Sequence, residues 1–115
     1  MLSVHEGPNT ISPRGTESQI LPGMITSNEP GLYFEGKYGI RTENEILCYE
    51  EDGICKFESI TLCPYEKDAI DMEMLTDKEL DHINNYHKKV YELVSPLVDE
   101  ETKAWLDEAC AEIQR

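Results

Sequence analysis

Residues 24–49, MITSNEPGLYFEGKYGIRTENEILCY, decide how this chain folds. Met24 to Asn28 reads as a short strand that ends at Pro30-Gly31. Leu32 to Phe34 resumes it, and Glu35-Gly36-Lys37 forms a turn. Gly39 to Tyr49 then reads as one longer strand. Its period of two puts Ile40, Thr42, Asn44, Ile46 and Cys48 on one face and Arg41, Glu43, Glu45, Leu47 and Tyr49 on the other. Arg41 and Glu43 are thus expected to share a face. Glu29 and Glu43 both stand where strand gives way to loop. Carboxylates fixed by rigid strands suit hard or borderline divalent cations. Two of them on adjacent strands can serve a two-metal hydrolytic centre. Taken singly, most strand glutamates are solvated surface groups. Here Pro30-Gly31 fixes the backbone behind Glu29. Arg41, if turned inward, needs a carboxylate partner, because a buried unpaired charge is costly.

Outward from this stretch, residues 6–23 hold Gly7, Pro8, Asn9, Pro13, Gly15, Pro22 and Gly23, which marks loop and turn structure. His5 sits ahead of that loop, where functional groups concentrate. Glu50-Glu51-Asp52-Gly53 is an acidic hairpin turn. Ile54 to Leu62 is the return strand, with Cys55, Phe57, Ser59, Thr61 and Cys63 on one face. After Pro64 the pattern becomes helical. Asp68 to Leu75 is a connection with one helical turn. Thr76-Asp77-Lys78-Glu79 is a capping box opening a helix. Leu80, Ile83, His87, Val90, Val94 and Leu97 form its apolar stripe, until Pro96 ends it. Asp99 is a candidate N-cap for a last helix, with Trp105, Leu106, Ala109, Cys110 and Ile113 packed. His87 reads as a core histidine and His82 as a surface one. Strands followed by helices give an α+β class.

The chain has 115 residues, enough for one domain or a piece of a larger one. It carries 24 acidic and 10 basic residues, a net charge of -14. Such a surface repels phosphate backbones and anionic lipid, so nucleic-acid and membrane partners are not expected. No apolar run reaches the roughly 20 residues that a membrane-spanning helix needs. No signal sequence is recognisable. Cys48, Cys55, Cys63 and Cys110 include no C-x-x-C pair, which argues against a thiolate zinc site. Free thiols in a reducing cytosol are expected, with a Cys48–Cys55 bridge as the alternative. Leu2-Ser3-Val4 reads as the end of a strand whose beginning is absent, so a fragment of a longer protein is expected.

The ordered series VHEGP (residues 4–8), GMI (23–25), NEPGLY (28–33) and GIRTEN (39–44) resembles the C-terminal part of the catalytic domain of Xaa-Pro aminopeptidases (aminopeptidase P). These belong to the metallopeptidases of the pita-bread fold, with prolidase, methionine aminopeptidase and creatinase. The resemblance covers residues 2–63 by motif. The tail, with LTDKELDHINNYH and a tryptophan in the last helix, resembles the C-terminal extension of the longer, cytosolic eukaryotic enzymes. It implies residues 1–65 as the C-terminal part of the catalytic domain, a curved antiparallel sheet, and 66–115 as a helical extension. It also implies two divalent metal ions, manganese with zinc as the alternative. Glu29 would ligate one metal and act as general base and acid. Glu43 would bridge both metals. His5 would contact substrate and steady the tetrahedral intermediate. Arg41 would tune the site through ion pairs. The implied reaction is hydrolysis of the first peptide bond of peptides with proline in second position, in the cytoplasm. The family's two aspartates and remaining ligand histidine match nothing here. Metal binding is therefore expected to be weak or absent, and this chain is expected to be inactive alone. An exposed sheet edge implies a homodimer or strand-exchanged oligomer. The alternatives are a non-catalytic module of the same fold and a prolidase-type dipeptidase.

Overall fold

The structure, a computed structural model, describes residues 5–15 and 17–114. The strand end expected at Leu2-Ser3-Val4 lies outside the described residues. The chain packs as two compact units, Met1–Thr61 and Leu62–Arg115.

The first unit is built from five strands: β1 (Ile25–Asn28), β2 (Gly31–Phe34), β3 (Tyr38–Arg41), β4 (Asn44–Glu51) and β5 (Ile54–Ser59). All pairings are antiparallel. β1, β4 and β5 form a three-stranded sheet with β4 central, and β2 and β3 form a two-stranded one. The hairpin at the end of β4 turns through Asp52 and Gly53, with φ values of 54° and 75°. Two successive positive φ angles suit a type I′ turn, the reason a D-G step is placed there. Cys48 is buried in β4, and Thr26 and Asn44 are buried beside it in the sheet. All four cysteines are free thiols.

The expected long strand Gly39–Tyr49 is two strands, interrupted at Thr42–Glu43. The physical reason lies opposite, at Pro30. The Thr42 N–H donates to the Pro30 carbonyl at 3.2 Å, but a proline has no N–H to return the bond, so the ladder lapses. The register nevertheless continues through the lapse. Asn28 pairs with Asn44 on one side of it and Gly31 with Arg41 on the other. Two residues intervene on each strand, so Glu29 falls opposite Glu43.

The second unit is helical. A 3-10 turn at Lys67–Ala69 precedes α1 (Asp77–Val94), and a second, Ser95–Leu97, precedes α2 (Glu100–Ala109). The capping box is formed: the Glu79 N–H donates to the Thr76 hydroxyl, and the Thr76 N–H to the Glu79 carboxylate at 2.8 Å. Asp99 caps α2 by accepting from the Thr102 N–H at 2.8 Å. Tyr86, Val90 and Leu106 make the core, with Tyr65, Val94, Val98 and Cys110 packed on it. Two expected stripe members are out of place. Leu97 is 82% exposed, because α1 stops at Val94 and its helical period stops with it. Trp105 is 56% exposed: α2 turns Leu106 inward, and a neighbour along a helix points about 100° away. Tyr86, absent from the expected stripe, is buried. His87 is fully buried, and His82 is exposed.

Candidate metal centre

The lapse in the β ladder puts Glu29 and Glu43 across from each other at the ends of β1 and β4. Like charges placed directly opposite in an antiparallel pair repel. The carboxyl of Glu43 shows the consequence. A hydrogen bond with Glu29 and the charge of Glu29 push it above the usual glutamate range, desolvation adds to this, and Arg41 and His5 pull the other way. Two carboxylates held this close favour either a shared proton or a cation between them.

His5 and Arg41 converge on Glu29. His5 Nε2 lies 3.3 Å and Arg41 Nη1 3.7 Å from Glu29 Oε1. Glu29 is mostly covered, with 23% of its side chain exposed, against 71% for His5 and 48% for Arg41. Arg41, expected to need a carboxylate partner, finds it at Glu29. The four expected residues are brought together, and His5, Glu29 and Glu43 line one open cleft of about 760 Å³ with Asn9, Thr26 and Glu45.

Tyr33 joins this cluster through Arg41. Its hydroxyl accepts from Arg41 Nε at 2.8 Å. The ring lies across two glycines. A Cβ built on Gly31 would come within 2.5 Å of the Tyr33 hydroxyl, and one on Gly39 within 2.5 Å of the ring. Gly39 is the direct cross-strand partner of Tyr33, and Gly31 that of Arg41. The hairpin thus lays a phenol flat on bare backbone and uses it to hold the guanidinium. The hydrogen bond it donates to Tyr33, then the negative potential of Tyr33 and Glu29, keep Arg41 still more firmly protonated than usual. The sequence signal was a pair of glycines framing a tyrosine in facing strands.

Among the described residues, no group of three or more His, Cys, Asp or Glu side chains is placed to hold a metal ion. Two carboxylates fit part of a divalent-metal shell in chemistry and position, and no more than part.

The model of metallopeptidase family M24 matches residues 1–50, and that of the C-terminal region of peptidase M24 matches residues 53–113. The chain belongs to the M24 metallopeptidase family. Similar proteins include a probable Xaa-Pro aminopeptidase P of Coprinopsis cinerea, 39% identical over 91% of this chain and 19% of that protein. Xaa-Pro aminopeptidase 1 of Dictyostelium discoideum is 40% identical over 85% of this chain and 17% of its own length. The crystal structure of X-prolyl aminopeptidase from Caenorhabditis elegans superimposes with a TM-score of 0.84 at 34% identity. It covers 97% of this chain and 20% of that one, and is described as a cytosolic enzyme with a di-nuclear active site. The chain thus spans about a fifth of the length of these relatives. The antiparallel sheets followed by helices are the α+β arrangement expected for this part of the pita-bread fold. No described helix is long and apolar enough to cross a membrane.

Proposed function

We propose that this chain supplies the C-terminal share of a dinuclear metal site in an aminopeptidase that releases the first residue of peptides with proline second. The observation that carries this reading is the cluster in which Glu29, opposite Glu43, is also met by His5 at 3.3 Å and Arg41 at 3.7 Å. Two divalent cations, manganese with zinc as the alternative, would be held by Glu29 and Glu43 on this side. When bound they supply Lewis-acid activation of water and of the scissile carbonyl.

The chain's own residues do the rest. Glu29 takes the proton of the attacking water and returns it to the departing amine. Glu43 would contribute its carboxylate to holding both cations. His5 donates a hydrogen bond to the substrate carbonyl oxygen as negative charge develops there. Arg41, held by Tyr33, pairs with Glu29 and keeps that carboxylate oriented. The cytoplasm is the proposed compartment, and a homodimer or strand-exchanged oligomer the proposed assembly.

Two carboxylates cannot complete two coordination shells. The purified 115-residue chain is therefore expected to show negligible turnover of Xaa-Pro-Xaa peptides with added manganese. Substantial turnover would overturn the view that the remaining ligands lie elsewhere.

A further inference from the structure

His5 reaches Glu29 from a loop, not from a strand, and something must hold that loop in place. Among the described residues, Asn9 is the member of the 5–15 segment that hydrogen-bonds to β1. Its side-chain amide donates to the Ile25 carbonyl at 3.2 Å and to the Thr26 hydroxyl. Both acceptors lie on the edge strand of the three-stranded sheet, and Thr26 is buried. An edge strand offers unpaired backbone groups, and an asparagine amide can take the place of a backbone partner for them. Asn9 is four residues after His5, and its acceptors are three and four residues before Glu29. His5, Asn9, Thr26 and Glu29 line the same cleft.

We propose that Asn9 is a positioning residue, which docks the His5 loop on β1 and so sets His5 against Glu29. The inference rests on the metal-site reading for its consequence in catalysis, but its geometry stands without metal. Asn9 touches neither Glu29 nor Glu43 by hydrogen bond. It acts through the His5 backbone, and its removal leaves the carboxylate pair in place.

The test uses nuclear magnetic resonance on the whole 115-residue chain and on Asn9→Leu, which keeps the shape and loses the donor. In the metal-free chain a cross-peak between the His5 ring and the Glu29 side chain is expected, and Asn9→Leu is expected to weaken it severalfold. Thr26→Val, which removes one of the two acceptors, is expected to weaken it less. An unchanged cross-peak in Asn9→Leu would overturn the proposal. Added manganese then separates the two readings. It is expected to broaden the Glu29 and Glu43 signals equally in both chains, and the His5 ring signals more strongly where Asn9 is present, because the effect falls steeply with distance. Equal His5 broadening in the two chains counts against Asn9. Absence of broadening at Glu29 and Glu43 even with manganese in large excess, where weak binding is populated, counts against the metal site, and leaves the metal-free cross-peak to decide the role of Asn9.

Discussion

Glu29 raises the cost of ionising Glu43, and that effect can be measured. Glu29→Gln removes the largest influence on Glu43, so the Glu43 carboxyl should fall back toward the ordinary glutamate range. A carbon-detected titration of the side-chain carboxyls reads this directly, and an unmoved Glu43 would show that the two do not face each other. Tyr33 is the second residue whose role is exposed to test. Gly39→Ala puts a methyl where the phenol ring now lies, so the ring must leave and the Arg41 Nε–H loses its acceptor. Exchange of the Arg41 Nε–H should accelerate in Gly39→Ala, as it should in Tyr33→Phe, with the sheet otherwise intact. His87 is the third. Its Nε2 accepts from the Tyr65 N–H at 3.0 Å, its Nδ1 has no partner among the described residues, and it is fully buried. Burial, and secondarily the charge of Lys67, hold its pKa below the usual 6.5. The folded unit therefore binds fewer protons than the unfolded chain below that value. The stabilisation it brings is whole above pH 6.5 and is lost as pH falls beneath it, by at most about 1.4 kcal/mol per pH unit. Urea midpoints at pH 7.5 and 5.5 should differ for the native chain, and the difference should shrink in His87→Gln.

Secondary structure was legible wherever one local signal sufficed. Thr76 and Glu79 announced the start of α1, Asp99 that of α2, and Asp52-Gly53 the β4–β5 turn, and each formed as read. Replacing Thr76 by Ala removes one half of the capping box and should cost about 1 kcal/mol in the helical unit. Denaturant unfolding followed by helical circular dichroism checks it. Misreadings arose where the signal was not local. The break between β3 and β4 is imposed by Pro30 on the facing strand, twelve residues before Thr42. A period-two reading of Gly39–Tyr49 alone has no means of seeing it. Likewise Leu97 and Trp105 carry the apolarity of a buried stripe, but helix termination and rotation put them in solvent. The four residues that cluster at the lapse were legible as a set, through the order of His5, Glu29, Arg41 and Glu43. Tyr33 and Asn9 were not, since their significance lies in hydrogen bonds across strands and loops.

The whole chain presents an apolar face that nothing within the β2–β3 hairpin covers. Leu32 faces Ile40 and Phe34 faces Tyr38 in the register, and all four are 44–61% exposed. A two-stranded hairpin is marginal by itself, and a continuous exposed apolar face favours association. Light scattering is therefore expected to give a mass above the 13.2 kDa monomer, and Leu32→Glu with Ile40→Lys to return it to the monomer. A clean monomer at high concentration would count against this. By itself the sequence determined the order of strands and helices, the caps and turns, the acidic surface and the ordered series of site residues, because each is set by neighbours close along the chain. Only the tertiary structure decided that Glu29 stands opposite Glu43, that Arg41 answers to Glu29 and Tyr33, and that Asn9 ties the His5 loop to β1. Those facts depend on register, and register is fixed by pairing between segments distant in sequence.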